Sequence, residues 1–228
     1  MIEQIPQILI GDAPAFRRVL KAARMVAATD ANVLLIGESG TGKEVLARDI
    51  HRRSLRSGAV FQVVNCAGTA QDDLDSRLNT HFREARGGTL FLDEVAELPA
   101  AGQSRLLHLL ERGASGAGTD VRVIAATSLD LWQSVQAGGF RSDLYYRLYV
   151  VPLELPPLRD RVQDIAPLLT HFVKSAVSSH GSETPRFSAT AERQLRRYAW
   201  PGNVRELRNF CERMAILFSG CDVGPDNL

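Results

Sequence analysis

Short apolar stretches alternate with stretches of helical periodicity over the first two thirds of the chain. The apolar stretches predict strands at 32–36, 60–64, 89–92, 121–126 and 150–155. Helices are predicted over 12–29, where apolar residues fall on one stripe, over 43–53, over the mostly polar segment 72–86 and over 103–111. A glycine-rich turn is predicted over 113–120. Because apolar strands that alternate with helices form parallel sheets covered on both faces, the pattern predicts an α/β fold with a parallel sheet flanked by helices.

The pattern changes after residue 156. Helices are predicted over 164–177, 188–198 and 204–218, with Ser188 as the residue that caps the second of them. A loop is predicted over 182–186, and no strand is predicted in this part of the chain. We therefore expect two domains, an α/β domain over 1–156 and a small all-α domain over 157–228.

Composition and charge exclude several classes of protein. The chain has 228 residues and a net charge of +1, so no strong field favours nucleic acid or a membrane surface. No apolar run approaches 18 residues and no signal-peptide pattern begins the chain. The three cysteines, Cys66, Cys211 and Cys221, are widely spaced, which indicates reduced thiols. We expect a soluble, cytoplasmic protein.

A glycine-framed loop follows the first predicted strand. It consists of Gly37, Glu38, Ser39, Gly40, Thr41, Gly42, Lys43 and Glu44. Glycines leave backbone N–H groups free to surround a phosphate, and Lys43 can reach the terminal phosphates of a nucleotide. The alternative is a simple glycine-rich turn, but the strand before the loop and the helix after it favour the phosphate-binding interpretation. The residue after the lysine is usually Ser or Thr, which binds magnesium, whereas this chain has Glu44.

Two carboxylates follow the third predicted strand. Asp93 can hold magnesium, directly or through water, and Glu94 can orient and deprotonate an attacking water. The alternative is a strand that ends in a solvated acidic turn. Ligands gather at the carboxyl edge of parallel sheets, so the phosphate loop favours the catalytic interpretation.

Two arginines lie in the segment 140–148. Arginine suits the stabilisation of charge on a transferring phosphoryl group, which makes Arg141 and Arg147 candidates. Their spacing by itself favours the alternative, a solvated helix with an Arg–Asp pair.

Five motifs occur in order: GESGTGKE at 37–44, GGTLFLDE at 87–94, FRSDLYYRL at 140–148, LPPLRDR at 155–161 and WPGNVRELRN at 200–209. Together they resemble the central ATPase domain of bacterial enhancer-binding proteins, the AAA+ activators of sigma-54 RNA polymerase. The resemblance covers the chain from residue 9 to the last helix. It implies an AAA+ P-loop ATPase that uses ATP and Mg²⁺, with 1–156 as the nucleotide-binding subdomain and 157–228 as the lid. A glutamate at the position of Glu44 is usual in this family.

The resemblance also implies roles for single residues. Lys43 and the loop backbone would bind the phosphates, Asp93 would organise magnesium, and Glu94 would organise the attacking water. Asn65 matches the switch asparagine that holds the catalytic glutamate according to the nucleotide state. Ile10 lies where the match begins and is assigned to the nucleotide site.

Three further positions concern neighbouring subunits and sensors. Arg141 and Arg147 match the arginines offered to the nucleotide of the next subunit, which implies a homo-oligomer, usually a hexameric ring. Arg205 matches the sensor arginine of the lid. Thr127 falls in the first sensor region, where the family usually has Asn or His at the next position and this chain has Ser128.

The chain departs from the family where the sigma factor is contacted. Family members carry the hexapeptide GAFTGA between the switch asparagine and the GGTLFLDE strand, and this loop touches sigma-54. No GAFTGA occurs in this sequence, and the segment is about fifteen residues shorter than the family pattern. A second family insertion, before the fourth strand, is reduced to the residues 114–119. Hydrolysis does not require either element.

Four functions compete. The first is an ATP-hydrolysing domain of a bacterial transcription regulator that acts through nucleotide-controlled oligomerisation rather than through the usual contact with sigma-54. The second is an orthodox sigma-54 activator that uses another surface. The third is a nucleotide-locked assembly module, and the fourth is a remodeller such as a clamp loader, which the WPGNVREL motif disfavours. Another sigma factor or RNA polymerase remains a candidate partner, and contact with DNA would need a domain not found in this sequence.

Overall fold

A computed structural model describes residues 8–67, 74–114 and 120–228. The contacts divide the chain into two compact units. The α/β unit contains residues 19–37 and 43–155. The lid unit contains the described residues up to 18, the loop segment 38–42 and all residues from Pro156 onward.

The α/β unit is built on one parallel sheet. Its strands are β1 (Val33–Ile36), β2 (Phe61–Asn65), β3 (Thr89–Asp93), β4 (Arg122–Thr127) and β5 (Val151–Glu154), in the spatial order β2-β3-β4-β1-β5. The central strand β1 pairs with β4 and β5, so that Val33 lies beside Ile124 and Val151. Each strand begins and ends within one residue of its predicted bounds, and the predicted α/β fold class is confirmed.

Helices cover both faces of this sheet. The helices are α1 (Pro14–Ala27), which ends in the α/β unit, α2 (Lys43–Arg52), α3 (Leu74–Glu84), α4 (Ala100–Ala114), α5 (Leu131–Gln136) and α6 (Ser142–Leu148). Leu90 and Leu92 pack on one face with Phe82 of α3 and Leu106 of α4. On the other face His51 of α2 contacts Thr89 of β3. Side chains alternate between the two faces of a strand, which is why β3 is apolar throughout.

The short helices α5 and α6 were not predicted from apolar periodicity. Each spans fewer than eight residues, and so few residues give little periodic signal. Local hydrogen bonds define α5: the carboxylate of Asp130 accepts from the backbone N–H groups of Trp132 and Gln133. The solvated helix considered for 140–148 is present as α6, with an Arg141–Asp143 ion pair of 2.7 Å.

The lid unit is mainly helical. It contains the 3₁₀ segment Leu158–Asp164 and the helices α7 (Ile165–His180), α8 (Ala189–Arg197) and α9 (Asn203–Leu217). Ser188 caps α8, as predicted, by accepting from the Ala191 N–H at 3.1 Å. The buried core consists of Leu158, Ile165, Leu168, Leu169, Val173, Leu195, Trp200, Leu207, Phe210, Cys211, Met214 and Val223.

The prediction of an all-α second domain without strands is wrong in one detail. Strands β6 (Arg186–Phe187) and β7 (Asp222–Val223) form a short parallel ladder. Each has only two residues, which is too short for an alternating pattern to be recognised. The two strands are far apart in the sequence, and they pair because α9 brings the chain back to the segment before α8.

Other features bear on the sequence predictions. The turn predicted over 113–120 and the start of the helix predicted at 72 lie largely outside the described residues. Cys66 and Cys211 are buried and Cys221 is exposed. In the described ranges, no helix has the length and apolar character needed to cross a membrane.

Candidate functional site

The phosphate-loop segment 38–42 is fixed by polar groups of its own unit. The Glu38 carboxylate accepts a two-bond contact from the guanidinium of Arg159, one bond measuring 2.9 Å, and a bond from Asn203 Nδ2 at 3.1 Å. This contact with Arg159 lowers the pKa of the Glu38 carboxyl. The main chain is held as well, because Val204 N donates to Gly40 O at 3.0 Å.

Gly40 is required by this close approach. Its φ is +79°, and a Cβ at this position would lie 2.3 Å from the carbonyl oxygen of Gly202. Any other residue would clash and would also adopt a left-handed conformation. The glycine in the motif therefore permits the loop backbone to approach the start of α9.

Two arginines of the lid unit contact the loop. Arg205 Nη1 donates to Ser39 Oγ at 2.9 Å, and the buried Arg161 donates to Thr41 O at 2.9 Å. Burial lowers the pKa of Arg161 to about 10, and its guanidinium stacks on Phe16 at 4.6 Å. Ile10, assigned to the nucleotide site, packs against the apolar core of the lid unit.

A charged cluster lies within the α/β unit, where β1, β3 and β4 end. Lys43 Nζ donates to Gly37 O at 2.8 Å and lies 3.2 Å from Glu94 Oε1. The other oxygen of this carboxylate, Oε2, accepts from both the N–H and the hydroxyl of Ser128, each at 2.8 Å. The bonds from Ser128 and the charge of Lys43 outweigh burial, so the pKa of Glu94 is lowered. The lysine and glutamate predicted from two separate motifs are therefore brought together.

Asp93 is the last residue of β3 and lies beside Asn65 of β2. Burial, reinforced by the charge of Glu94, raises the pKa of Asp93. The Asn65 side-chain oxygen accepts from the Ala67 N–H at 2.9 Å. Glu44 forms an ion pair with Arg48 at 2.7 Å. Asn65 and Asp93 end neighbouring parallel strands, so both lie at the carboxyl edge of the sheet.

The two candidate arginines make contacts within the α/β unit. Arg141 donates to Asp143 at 2.7 Å and to Ser104 Oγ at 3.1 Å. Arg147 Nη2 donates to Leu110 O at 3.3 Å. The partners of these two arginines belong to α4 and α6.

Sequence reasoning missed four residues at these sites. It assigned no role to Arg159, Arg161 and Asn203, although they lie in the LPPLRDR and WPGNVREL motifs. Asn203 is completely buried and makes three hydrogen bonds, one of them with Leu158 N at 2.8 Å. Ser128 was treated only as a departure from the family. The motifs carry the signal for the first three, whereas the role of Ser128 depends on the fold.

Comparison with known families agrees with this chemistry. Residues 9–154 match the sigma-54 interaction domain, and residues 159–228 match the AAA+ ATPase lid domain. The chain belongs to the sigma-54 interaction domain family. The predicted resemblance to AAA+ activators is thereby confirmed, as is the AAA+ fold with a helical lid.

Sequence relatives are transcription regulators. The chain is 39% identical to the DNA-binding transcriptional regulator NtrC of Azospirillum brasilense, over 98% of this chain and 50% of that protein. It is 44% identical to the Nif-specific regulatory protein of Klebsiella pneumoniae, over 92% of this chain and 44% of that protein. The chain thus spans about half the length of these relatives.

Solved structures share the fold. The structure of NtrX from Brucella abortus in complex with ATP has a TM-score of 0.91 and 34% identity, covering 96% of this chain and 56% of that one. The ADP complex of NtrX gives the same TM-score with 33% identity over 97% of this chain and 55% of that one. This family of domains consists of AAA+ ATPases found in transcription regulators, which confirms the function class predicted from the motifs.

Proposed function

We propose that this chain binds and hydrolyses ATP and serves as the nucleotide-controlled assembly domain of a bacterial transcription regulator. The observation that carries the proposal is the contact of Lys43 with Glu94 at the carboxyl edge of the sheet, 3.2 Å between charged atoms. A phosphate-binding lysine and a candidate general base must both reach the terminal phosphate for hydrolysis. The similar fold of NtrX with bound ATP supports the nucleotide.

Lys43 and Glu94 of the α/β unit have separate tasks in this reaction. Lys43 exchanges its contacts with Gly37 O and Glu94 for the terminal phosphates of ATP. This exchange frees Glu94 Oε1 to accept a proton from the water that attacks the terminal phosphorus. The lowered pKa of Glu94 keeps its carboxylate ionised near neutral pH, as a base requires.

The donor set fits Mg²⁺. Proteins commonly hold this ion through one or two carboxylates, with nucleotide phosphates and water as the remaining ligands. Asp93, at the end of β3 with Glu44 close enough to raise its pKa, supplies such oxygen ligands. When bound, Mg²⁺ neutralises the developing charge on the phosphates. A carboxylate at Glu44 in place of the usual hydroxyl adds to the negative charge near Asp93.

Arg141 and Arg147 are the residues that we propose to act between subunits. Arg141 is solvent-exposed and Arg147 is half-buried, and both are bonded to their own unit. As in the family pattern, we assign them to the nucleotide of a neighbouring subunit, which makes hydrolysis depend on a ring, usually a hexamer. The lid residue Arg205, bonded to Ser39, would report on the nucleotide bound by the loop.

The absence of the GAFTGA hexapeptide is the basis for the proposed way in which this domain acts on transcription. The sequence contains no such hexapeptide. The alignment with NtrC extends over 246 positions, more than the 228 residues of this chain, so NtrC has residues without a counterpart here. We therefore propose that nucleotide controls oligomerisation in the cytoplasm, and that DNA is contacted through other parts of the complete regulator.

Steady-state ATP turnover, measured against protein concentration, tests the proposal. We expect turnover per subunit to rise with concentration, because each site needs an arginine from its neighbour. Lys43→Ala is the blank, since it removes the phosphate contact. Equal turnover by this variant would contradict the role of the loop. Tight ATP binding without turnover at any concentration would instead identify a nucleotide-locked assembly module.

A further inference from the structure

Ser128 is one of the positions at which this chain departs from the family pattern, and the structure gives it a specific contact. Its backbone N–H and its hydroxyl both donate to Glu94 Oε2, each at 2.8 Å. Two donors from one residue on one oxygen fix that oxygen in direction as well as in distance. Hydrogen bonds to an ionised acceptor are about twice as strong as neutral ones, so this contact restrains the carboxylate.

The restrained oxygen determines where the other one points. With Oε2 held by Ser128, Oε1 is directed to Lys43 Nζ at 3.2 Å. Lys43 is the proposed phosphate ligand, so Oε1 faces the side on which the terminal phosphate and its attacking water would be bound. A general base must lie within hydrogen-bonding distance of the proton that it accepts.

The residues on either side of Ser128 are held by hydrogen bonds. Thr127, which is completely buried, donates from its hydroxyl to Leu129 O at 3.1 Å and accepts from Leu129 N at 3.0 Å. Thr127 O accepts from Gly37 N at 3.2 Å, which joins the end of β4 to β1. Directly after this turn, Asp130 caps α5. Ser128 is therefore held between two anchored residues.

Glu94 itself needs such a restraint. Its backbone is left-handed, with φ 52° and ψ 53°, and its carbonyl accepts from Glu97 N at 3.0 Å. Its side chain caps no helix. A glutamate side chain otherwise retains considerable rotational freedom, and misplacement by about 1 Å can cost two orders of magnitude in rate.

We infer that Ser128 is the positioning residue for Glu94: its N–H and hydroxyl hold Oε2 at the end of β4 so that Oε1 faces the reacting phosphate. The inference rests on the proposed hydrolysis. It concerns orientation, so it predicts an effect on kcat and none on ATP binding.

Ser128→Ala removes the hydroxyl and keeps the backbone N–H. We expect kcat to fall about tenfold, the factor that corresponds to one charge-assisted hydrogen bond, with the KM for ATP changed less than about twofold. Ser128→Thr keeps the hydroxyl and should retain at least about half of the wild-type kcat. The matched control is Ser134→Ala on α5, whose hydroxyl donates to Asp130 O and does not contact Glu94.

A second measurement is independent of turnover. In nucleotide-free protein at a fixed pH of about 8, where carboxyl groups are ionised, the side-chain carboxyl ¹³C resonance of Glu94 is assigned by its loss in Glu94→Gln. It should move in Ser128→Ala and remain in place in Ser134→Ala and Ser128→Thr. A cooperative thermal unfolding transition near that of wild type is the check that each variant is folded.

The outcomes separate the two proposals. Loss of kcat in Ser128→Ala with an unchanged KM, rescue by Ser128→Thr and a displaced Glu94 resonance would support the inference. Unchanged kcat in Ser128→Ala, higher kcat, or equal losses in Ser128→Ala and Ser128→Thr would overturn it. If wild-type protein hydrolyses no ATP, the proposed function fails, and the resonance still decides whether Ser128 holds Glu94.

Discussion

At the scale of single residues, His51 is a buried polar side chain of the α/β unit with a partner nearby. His51 lies against Phe61, and its Nδ1 is 2.9 Å from Thr89 Oγ1. Burial lowers the pKa of this histidine, and this effect, together with the charges of Arg122 and Arg48, outweighs a hydrogen bond with the backbone of Ala59 that raises it. The fold therefore selects the neutral imidazole.

This preference predicts a pH dependence of stability. An unfolded histidine takes up a proton near pH 6.5, whereas folded His51 does so at lower pH. The unfolded state therefore binds more protons as the pH falls below about 6.5, and the free energy of unfolding decreases until the folded pKa is reached. His51→Gln, which cannot titrate, should lose less stability than wild type in urea unfolding between about pH 7.5 and 5.5. Equal losses would contradict a neutral buried His51.

Glu94 provides the second prediction at this scale. Glu94→Gln keeps a side-chain oxygen that accepts from Ser128 but cannot take up the proton of the attacking water. We expect ATP affinity near that of wild type and turnover reduced at least about a hundredfold. Titration with a fluorescent ATP analogue and a phosphate-release assay measure the two quantities. Normal phosphate release would remove Glu94 from the role of general base.

At the scale of elements, the start of α9 and the loop segment 38–42 depend on Asn203. Its side chain joins Leu158 N, Glu38 and Ser39 O by three hydrogen bonds, and its backbone is left-handed with φ 52°. Asparagine tolerates this conformation better than most residues. Asn203 thus connects three segments that lie far apart in the sequence.

Asn203→Ala should lower the free energy of unfolding by about 3 kcal/mol, because the buried N–H of Leu158 loses its acceptor and the carbonyl of Ser39 loses its donor. Urea unfolding measures the change. The matched control is Asn227→Ala in the same unit, where an exposed side chain makes one bond, to Gly224 N, and a loss below about 1 kcal/mol is expected. Similar losses for the two variants would contradict the importance of the Asn203 network.

Helix α6 carries the proposed contact between subunits. If Arg147 acts on a neighbour, Arg147→Ala should bind ATP and hydrolyse little of it. Mixing these subunits with inactive Lys43→Ala subunits should restore turnover, because the second variant supplies an intact arginine to the first. A mixture of Lys43→Ala with Glu94→Gln should stay inactive, since both defects lie in the nucleotide's own subunit. Failure of the first mixture to regain turnover would argue against arginines supplied in trans.

At the scale of the whole molecule, we propose that nucleotide chemistry and contact with the sigma factor are separable. The residues proposed for hydrolysis are present, and the GAFTGA hexapeptide is absent from the sequence. We expect no co-elution of this chain with sigma-54 in gel filtration with an ATP transition-state analogue, under conditions in which a GAFTGA-containing relative co-elutes. Co-elution of this chain would favour an orthodox activator that uses another surface.

The sequence determined the fold class, the strands of the main sheet, the phosphate loop and the carboxylates after β3. These features are local: an apolar strand, a glycine loop and a capped helix each place their signal within a few consecutive residues. Only the tertiary structure decided what long-range contacts determine. The β6–β7 ladder, the burial of Asn203, the attachment of the loop through Arg159 and Arg161, and the two bonds from Ser128 to Glu94 join residues 34 to 165 positions apart. No local pattern encodes such pairs, because their energy is realised only when the chain has brought them together.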